Sequence, residues 1–112
     1  MRYKSNRFAV RIVRLYQFLT VEKKELVMSK QILRSGTSIG TNLAESDCAS
    51  STNDFLNKLY IALKECSETG YWLELLRETD YLTQSQFDSL YADCVEIKRM
   101  LQSATKTLKE KP

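Results

Sequence analysis

The chain has 112 residues, 17 Lys or Arg against 14 Asp or Glu, a formal charge of +3, three cysteines and no histidine. This length sets a prior of one domain. The lack of histidine removes the usual general base, the commonest zinc ligand and the common activator of nucleophiles, which weighs against an enzyme.

The charge is unevenly placed. Residues 1–35 hold nine Lys/Arg and two Glu, net +7; residues 36–97 hold three Lys/Arg and eleven Asp/Glu, net −8; residues 98–112 hold five Lys/Arg and one Glu, net +4. Such asymmetry suggests an electrostatic partner, either nucleic acid or the acidic segment of a neighbouring subunit. No apolar run reaches the roughly 18 residues that a membrane span needs. The start, MRYKSNRFAV, has no apolar signal core, so the expected setting is the cytoplasm.

One proline, at the last position, and three glycines favour helices. The first predicted helix covers 5–19, with Ser5 as N-cap. Phe8, Ile12, Leu15 and Leu19 repeat at four, three, four and form its apolar stripe. Lys4, Arg7, Arg11 and Arg14 lie on a flank about 90° away. They read as a solvated flank, as intersubunit ion pairs or as a phosphate-binding stripe.

A turn near Thr20 leads to a second predicted helix over 21–47, with Thr20 as cap and Glu22 in the first turn. Leu26 and Leu33 extend its apolar stripe. In the segment QILRSGTSIGTNLAE, Ile32, Gly36, Ile39, Gly40 and Leu43 share that side. Arg34, Ser38, Asn42 and Glu45 form a polar seam on the other. It reads as a satisfied polar network at a helix or subunit contact, with a ligand or nucleic-acid site as the alternative. Two interior glycines cost roughly 1 kcal/mol each relative to alanine, so a closely packed neighbouring helix is expected there.

The third helix is predicted over 52–79, opened by Ser51 with Asp54 three later. Its core stripe is Phe55, Leu59, Ala62, Cys66, Thr69, Leu73 and Leu76, with Gly70 beside it. Ile61, Trp72 and Leu75 lie on another side, with Tyr71 nearby. A single bundle would leave that strip wet, which argues for an oligomer interface. Glu65 and Glu68 adjoin it, where basic partners from another chain would meet them. The fourth helix is predicted over 84–108. Thr83 and Gln86 make its capping box. Phe87, Leu90, Tyr91, Cys94, Ile97, Leu101, Ala104 and Leu108 form its core stripe. The tail from Lys109 to Pro112 is expected to fray. Cys48, Cys66 and Cys94 have no paired spacing, so no disulfide framework is expected. Cys66 and Cys94 read as small core residues.

No phosphate loop, dinucleotide fingerprint or Cys-x-x-Cys pair is present. The expectation is no catalytic residue, no metal and no cofactor. Four amphipathic helices with short connections predict an all-α, antiparallel up-down-up-down four-helix bundle.

RSGTSIGTNLAES followed by DFLNKLYIALKECSETGYWLELL resembles the 23S rRNA intervening-sequence proteins, small bacterial four-helix bundles. Arg34, Ser38, Ile39, Asn42, Leu43, Ala44 and Glu45 match, then Phe55, Leu56, Ala62, Glu65, Glu68 and Leu73. The similarity covers residues 8–105 and departs at Ser46, where the family commonly has glycine. The resemblance implies a homopentamer with a central channel. A distant relative is the accessory protein of diversity-generating retroelements, which binds nucleic acid and a reverse transcriptase. Two functional expectations follow. One is a non-catalytic oligomeric scaffold with contacts through Ile61, Glu65, Glu68, Tyr71, Trp72 and Leu75. The other is a nucleic-acid-binding accessory protein that uses Lys4, Arg7, Arg11 and Arg14 around the oligomer.

Overall fold

The computed structural model describes residues 1–110. Four helices follow in order: α1 (Arg2–Val21), α2 (Met28–Ser46), α3 (Thr52–Glu78) and α4 (Gln84–Glu110). Each packs along the next, and α4 returns to α1 over a shorter contact, giving an antiparallel bundle of about 50 × 22 × 20 Å. The helices α1 and α3 therefore stand at diagonal corners, as do α2 and α4.

The core stripes read from periodicity meet along the axis. Phe8, Ile12, Leu15 and Leu19 of α1 face Ile32, Ile39 and Leu43 of α2. Leu59, Ala62, Cys66, Leu73 and Leu76 of α3, with Phe87, Leu90, Cys94, Ile97 and Leu101 of α4, complete the cluster. Gly36 sits where α1 comes closest: a Cβ built there would lie 2.8 Å from Ile12 Cγ2. This is the close neighbour expected from two glycines in one helix. The Thr69 and Ser35 hydroxyls meet at 2.9 Å in the same interior. Among the described residues no buried side-chain nitrogen or oxygen lacks a partner.

Helices α3 and α4 start as the capping signals require. Ser51 Oγ accepts the Asp54 N–H at 3.0 Å, and Thr83 and Gln86 bond reciprocally at 3.1 and 2.9 Å. The first connection departs from expectation. Helix α1 begins at Arg2 rather than at Ser5, and Ser5 is buried, donating its hydroxyl to the Arg2 carbonyl. At its other end α1 continues through Thr20, whose hydroxyl donates to the Tyr16 carbonyl.

The second helix does not begin at Val21. Lys24 takes a left-handed conformation, φ 56°, which ends helical winding. Glu25 then folds forward as the cap of α2: its carboxylate accepts the N–H groups of Val27 and Met28 at 2.9 Å and of Ser29 at 2.6 Å. Three of the four donors that a helix start leaves unpaired can thus be met by one buried side chain. Leu26, expected on the apolar stripe, lies in this connection and is 58% exposed. Of the tail expected to fray, Lys109 and Glu110 are helical, while 111–112 lie outside the described residues.

Candidate functional site

The basic stripe of α1 meets α4 of the same chain. Lys4 pairs with Glu96. Arg11 reaches Asp93 at 2.6 Å and also donates to Ser89 Oγ at 2.8 Å and the Ser89 carbonyl at 3.2 Å. Arg2 pairs with Asp47 at the end of α2. Part of the sequence's charge asymmetry is therefore answered inside the chain, by a basic first helix lying against acidic residues of the last. Arg7 and Arg14 form no ion pair among the described residues. Arg7 contacts the Tyr3 hydroxyl at 3.3 Å, and Arg14 contacts Gln17 at 3.3 Å.

The polar seam of α2 and the strip on α3 form one surface. Arg34 reaches Glu65 at 3.1 Å and also pairs with Glu68, and Glu68 accepts the Trp72 indole N–H at 3.0 Å. Glu45 receives Lys58 at 3.1 Å. Ser38 donates to the Arg34 carbonyl at 2.6 Å, and Asn42 donates to the Ser38 carbonyl at 2.8 Å. Glu65 and Glu68 thus meet a cation of their own chain, where basic groups from another chain were expected. Every member of the seam has a partner across or along the helices. Within a single chain this surface is a closed network that pins α2 to α3.

What stays open is apolar, on the outward sides of α1 and α3. On α3, Tyr71 is 55% exposed with its ring edge-on to Trp72, and Ile61, Trp72 and Leu75 are half-buried. Tyr60, one turn before Lys64, joins them. On α1, Tyr3 is 70% exposed, Val10 58% and Val21 62%, on the side opposite the core stripe. The sequence carries this second face in Val10, Val13 and Val21, apolar residues off the core stripe that the arginines between them mask. Beside it, Val10, Leu15, Phe18, Leu82 and Leu90 line a groove of about 380 Å³ between α1 and α4.

Comparison with known proteins places this architecture. A model of the 23S rRNA-intervening sequence proteins matches residues 1–103. The chain belongs to this family. A solved structure from Bacteroides thetaiotaomicron, a protein of unknown function from the S23 ribosomal protein family, is 59% identical. It covers 94% of this chain and 97% of its own length, with a TM-score of 0.93. No curated protein matches. Of the residues that carry the resemblance, Arg34 and Glu45 supply the α2 half of the ion network. No described helix is long and apolar enough to cross a membrane.

Proposed function

We propose that the chain is a non-catalytic scaffold that assembles into a ring of identical copies, the outward face of α1 on one copy meeting the outward face of α3 on the next. The observation that carries this reading is the pair of exposed apolar faces on diagonal helices: Tyr3, Val10 and Val21 on one, Tyr60 and Tyr71 on the other. Exposed apolar surface of this kind marks interaction sites, and tyrosine and tryptophan are favoured at them. A single self-complementary patch gives a two-fold dimer. Two different faces directed oppositely give a head-to-tail contact, which closes into a ring when the rotation per copy allows.

Arg7 and Arg14 flank the α1 face and form no ion pair among the described residues. Five copies follow the family resemblance. Light scattering on the intact protein tests the reading: a mass near five times 13.0 kDa supports the pentamer, and a monomer mass at micromolar concentration refutes the scaffold.

The alternative is a nucleic-acid-binding accessory protein. Its proposed stripe keeps two cations clear of carboxylates, Arg7 and Arg14, which bind phosphate weakly in one copy and gain avidity when repeated around a ring.

A further inference from the structure

The groove between α1 and α4 lined by Lys4, Arg7 and Arg11 is already crossed by Asp93 and Glu96. The Glu25 carboxylate is consumed in capping α2. A pair of buried thiols has no such structural employment.

Cys66 of α3 and Cys94 of α4 face each other across the bundle with their sulfurs 3.7 Å apart. Each sulfur also approaches the other residue's carbonyl, at 3.3 and 3.4 Å, so the arrangement is reciprocal. Gly70 lies one turn beyond Cys66, and a Cβ there would be in ordinary contact with the Tyr91 ring at 3.6 Å and Cys94 Sγ at 3.9 Å. The sulfurs also form the floor of a cavity of about 160 Å³, walled by Ser67, Tyr71, Tyr91, Val95 and Lys98. A water in liquid occupies about 30 Å³, so a molecule of that size class has room beside them. Cys48, the remaining thiol, is exposed and lies on neither helix.

We propose that Cys66 and Cys94 are an oxidisable dithiol that a small hydroperoxide converts to a disulfide joining α3 to α4. The two thiols ionise unequally. The hydrogen bond from Cys94 lowers the Cys66 thiol against the opposing effect of burial, and the Lys98 ammonium adds to the lowering. The same hydrogen bond, with burial, raises Cys94. The geometry is reciprocal, so either sulfur can attack. The thiolate of one displaces hydroxide from hydrogen peroxide and becomes a sulfenic acid, the hydroxide leaving as water after taking up a proton. The other thiol then attacks that sulfur and expels a second water. In sum, two thiols and one peroxide give one disulfide and two waters, the thiols losing two electrons and the peroxide gaining them. Thiol reductants reverse the step by exchange.

The test uses the full chain with Cys48→Ser, which removes the exposed thiol and leaves the core untouched. Folded protein is treated with hydrogen peroxide, alkylated under denaturing conditions and digested for mass spectrometry. The same treatment is applied to a Cys48→Ser, Val10→Glu protein, which leaves the cavity walls unchanged and breaks the proposed contact, so that no neighbouring copy covers the cavity. The expected result, in either protein, is a linked species joining the Cys66 and Cys94 peptides, lighter than the two free peptides by two hydrogens and lost on dithiothreitol treatment. Both cysteines recovered as alkylated thiols from both proteins would overturn the proposal. So would sulfinic or sulfonic acids without a link, or a link that forms only when the protein is first unfolded in urea.

Discussion

Replacing Gly36 by alanine separates two effects that pull in opposite directions. Alanine in a helix interior is favoured over glycine by roughly 1 kcal/mol. At Gly36 the added methyl would sit 2.8 Å from Ile12 Cγ2, 2.9 Å from Cγ1 and 3.2 Å from Cβ. Ile12 is fully buried, and a β-branched side chain in a helix keeps one χ1 rotamer, so it cannot swing aside. The helices α1 and α2 must separate instead, and overpacking of this kind costs about 1–3 kcal/mol. The net expectation is a loss of up to about 2 kcal/mol.

Gly70 supplies the contrast within the same molecule. Its added methyl would meet only ordinary contacts, 3.6 Å and beyond, so Gly70→Ala should be stabilising by about 0.5–1 kcal/mol. Urea unfolding followed by circular dichroism, at one fixed protein concentration because assembly shifts apparent stability, reads both. Ile12→Ala removes both γ carbons and the δ carbon and should cost about 2–5 kcal/mol by itself. In that background Gly36→Ala should turn neutral or stabilising, a coupling that a double-mutant cycle measures. A Gly36→Ala protein as stable as Gly70→Ala would refute the close-approach argument.

Three further outcomes are expected. Burial pushes the Glu25 carboxyl up, but the amides of Met28, Ser29 and Val27 outweigh it and hold the group below its ordinary value. Its stabilising contribution is therefore complete above the unfolded carboxyl pKa, about 4.3, and lost as pH falls through the lower folded value. Glu25→Gln should lower stability at neutral pH and flatten the acid limb of urea midpoints taken between about pH 7 and pH 3; an unchanged acid limb would count against the cap. Arg34→Met removes two ion pairs from a half-exposed site, so a loss of no more than about 1 kcal/mol is expected in thermal melts, and several kcal/mol would mean the network is worth more than screened pairs allow. Binding to duplex DNA across a salt series addresses the accessory-protein alternative. A log–log slope above that of four phosphates, about −0.9 per contact, supports a multivalent ring, and absence of binding at low salt removes this reading.

Much of the bundle was legible because its signals are local. Ser51 and Thr83 stand at conventional caps, and the α1, α3 and α4 core stripes follow from spacing alone. The break before α2 was not legible. Residues 21–27, Val-Glu-Lys-Lys-Glu-Leu-Val, contain no glycine, proline or usual capping residue. The turn rests on Lys24 in a left-handed conformation, and the cap on a glutamate that folds forward. Propensity reads both as helix. The charge pattern was visible but its partners were not: Lys4 and Glu96 are 92 residues apart, and periodicity gives a face without saying what lies opposite. For the same reason Glu65 and Glu68 read as open to another chain until the packing of α2 on α3 brought Arg34 between them. Buried hydroxyls such as Ser35 and Thr69 were legible only in part. Thr69 lay on the core stripe, and Ser35 fell one residue from it.

The central claim is a head-to-tail contact between the α1 and α3 faces, and mixing two damaged proteins tests it most directly. Val10→Glu spoils the first face and Tyr71→Glu the second, both at exposed positions that leave the core intact. The account predicts that each variant alone is a folded monomer by light scattering. Mixed, they should form a dimer of one copy of each, since one sound α1 face and one sound α3 face remain. If either variant keeps the mass of the intact protein, or if the mixture stays monomeric, the contact is made elsewhere.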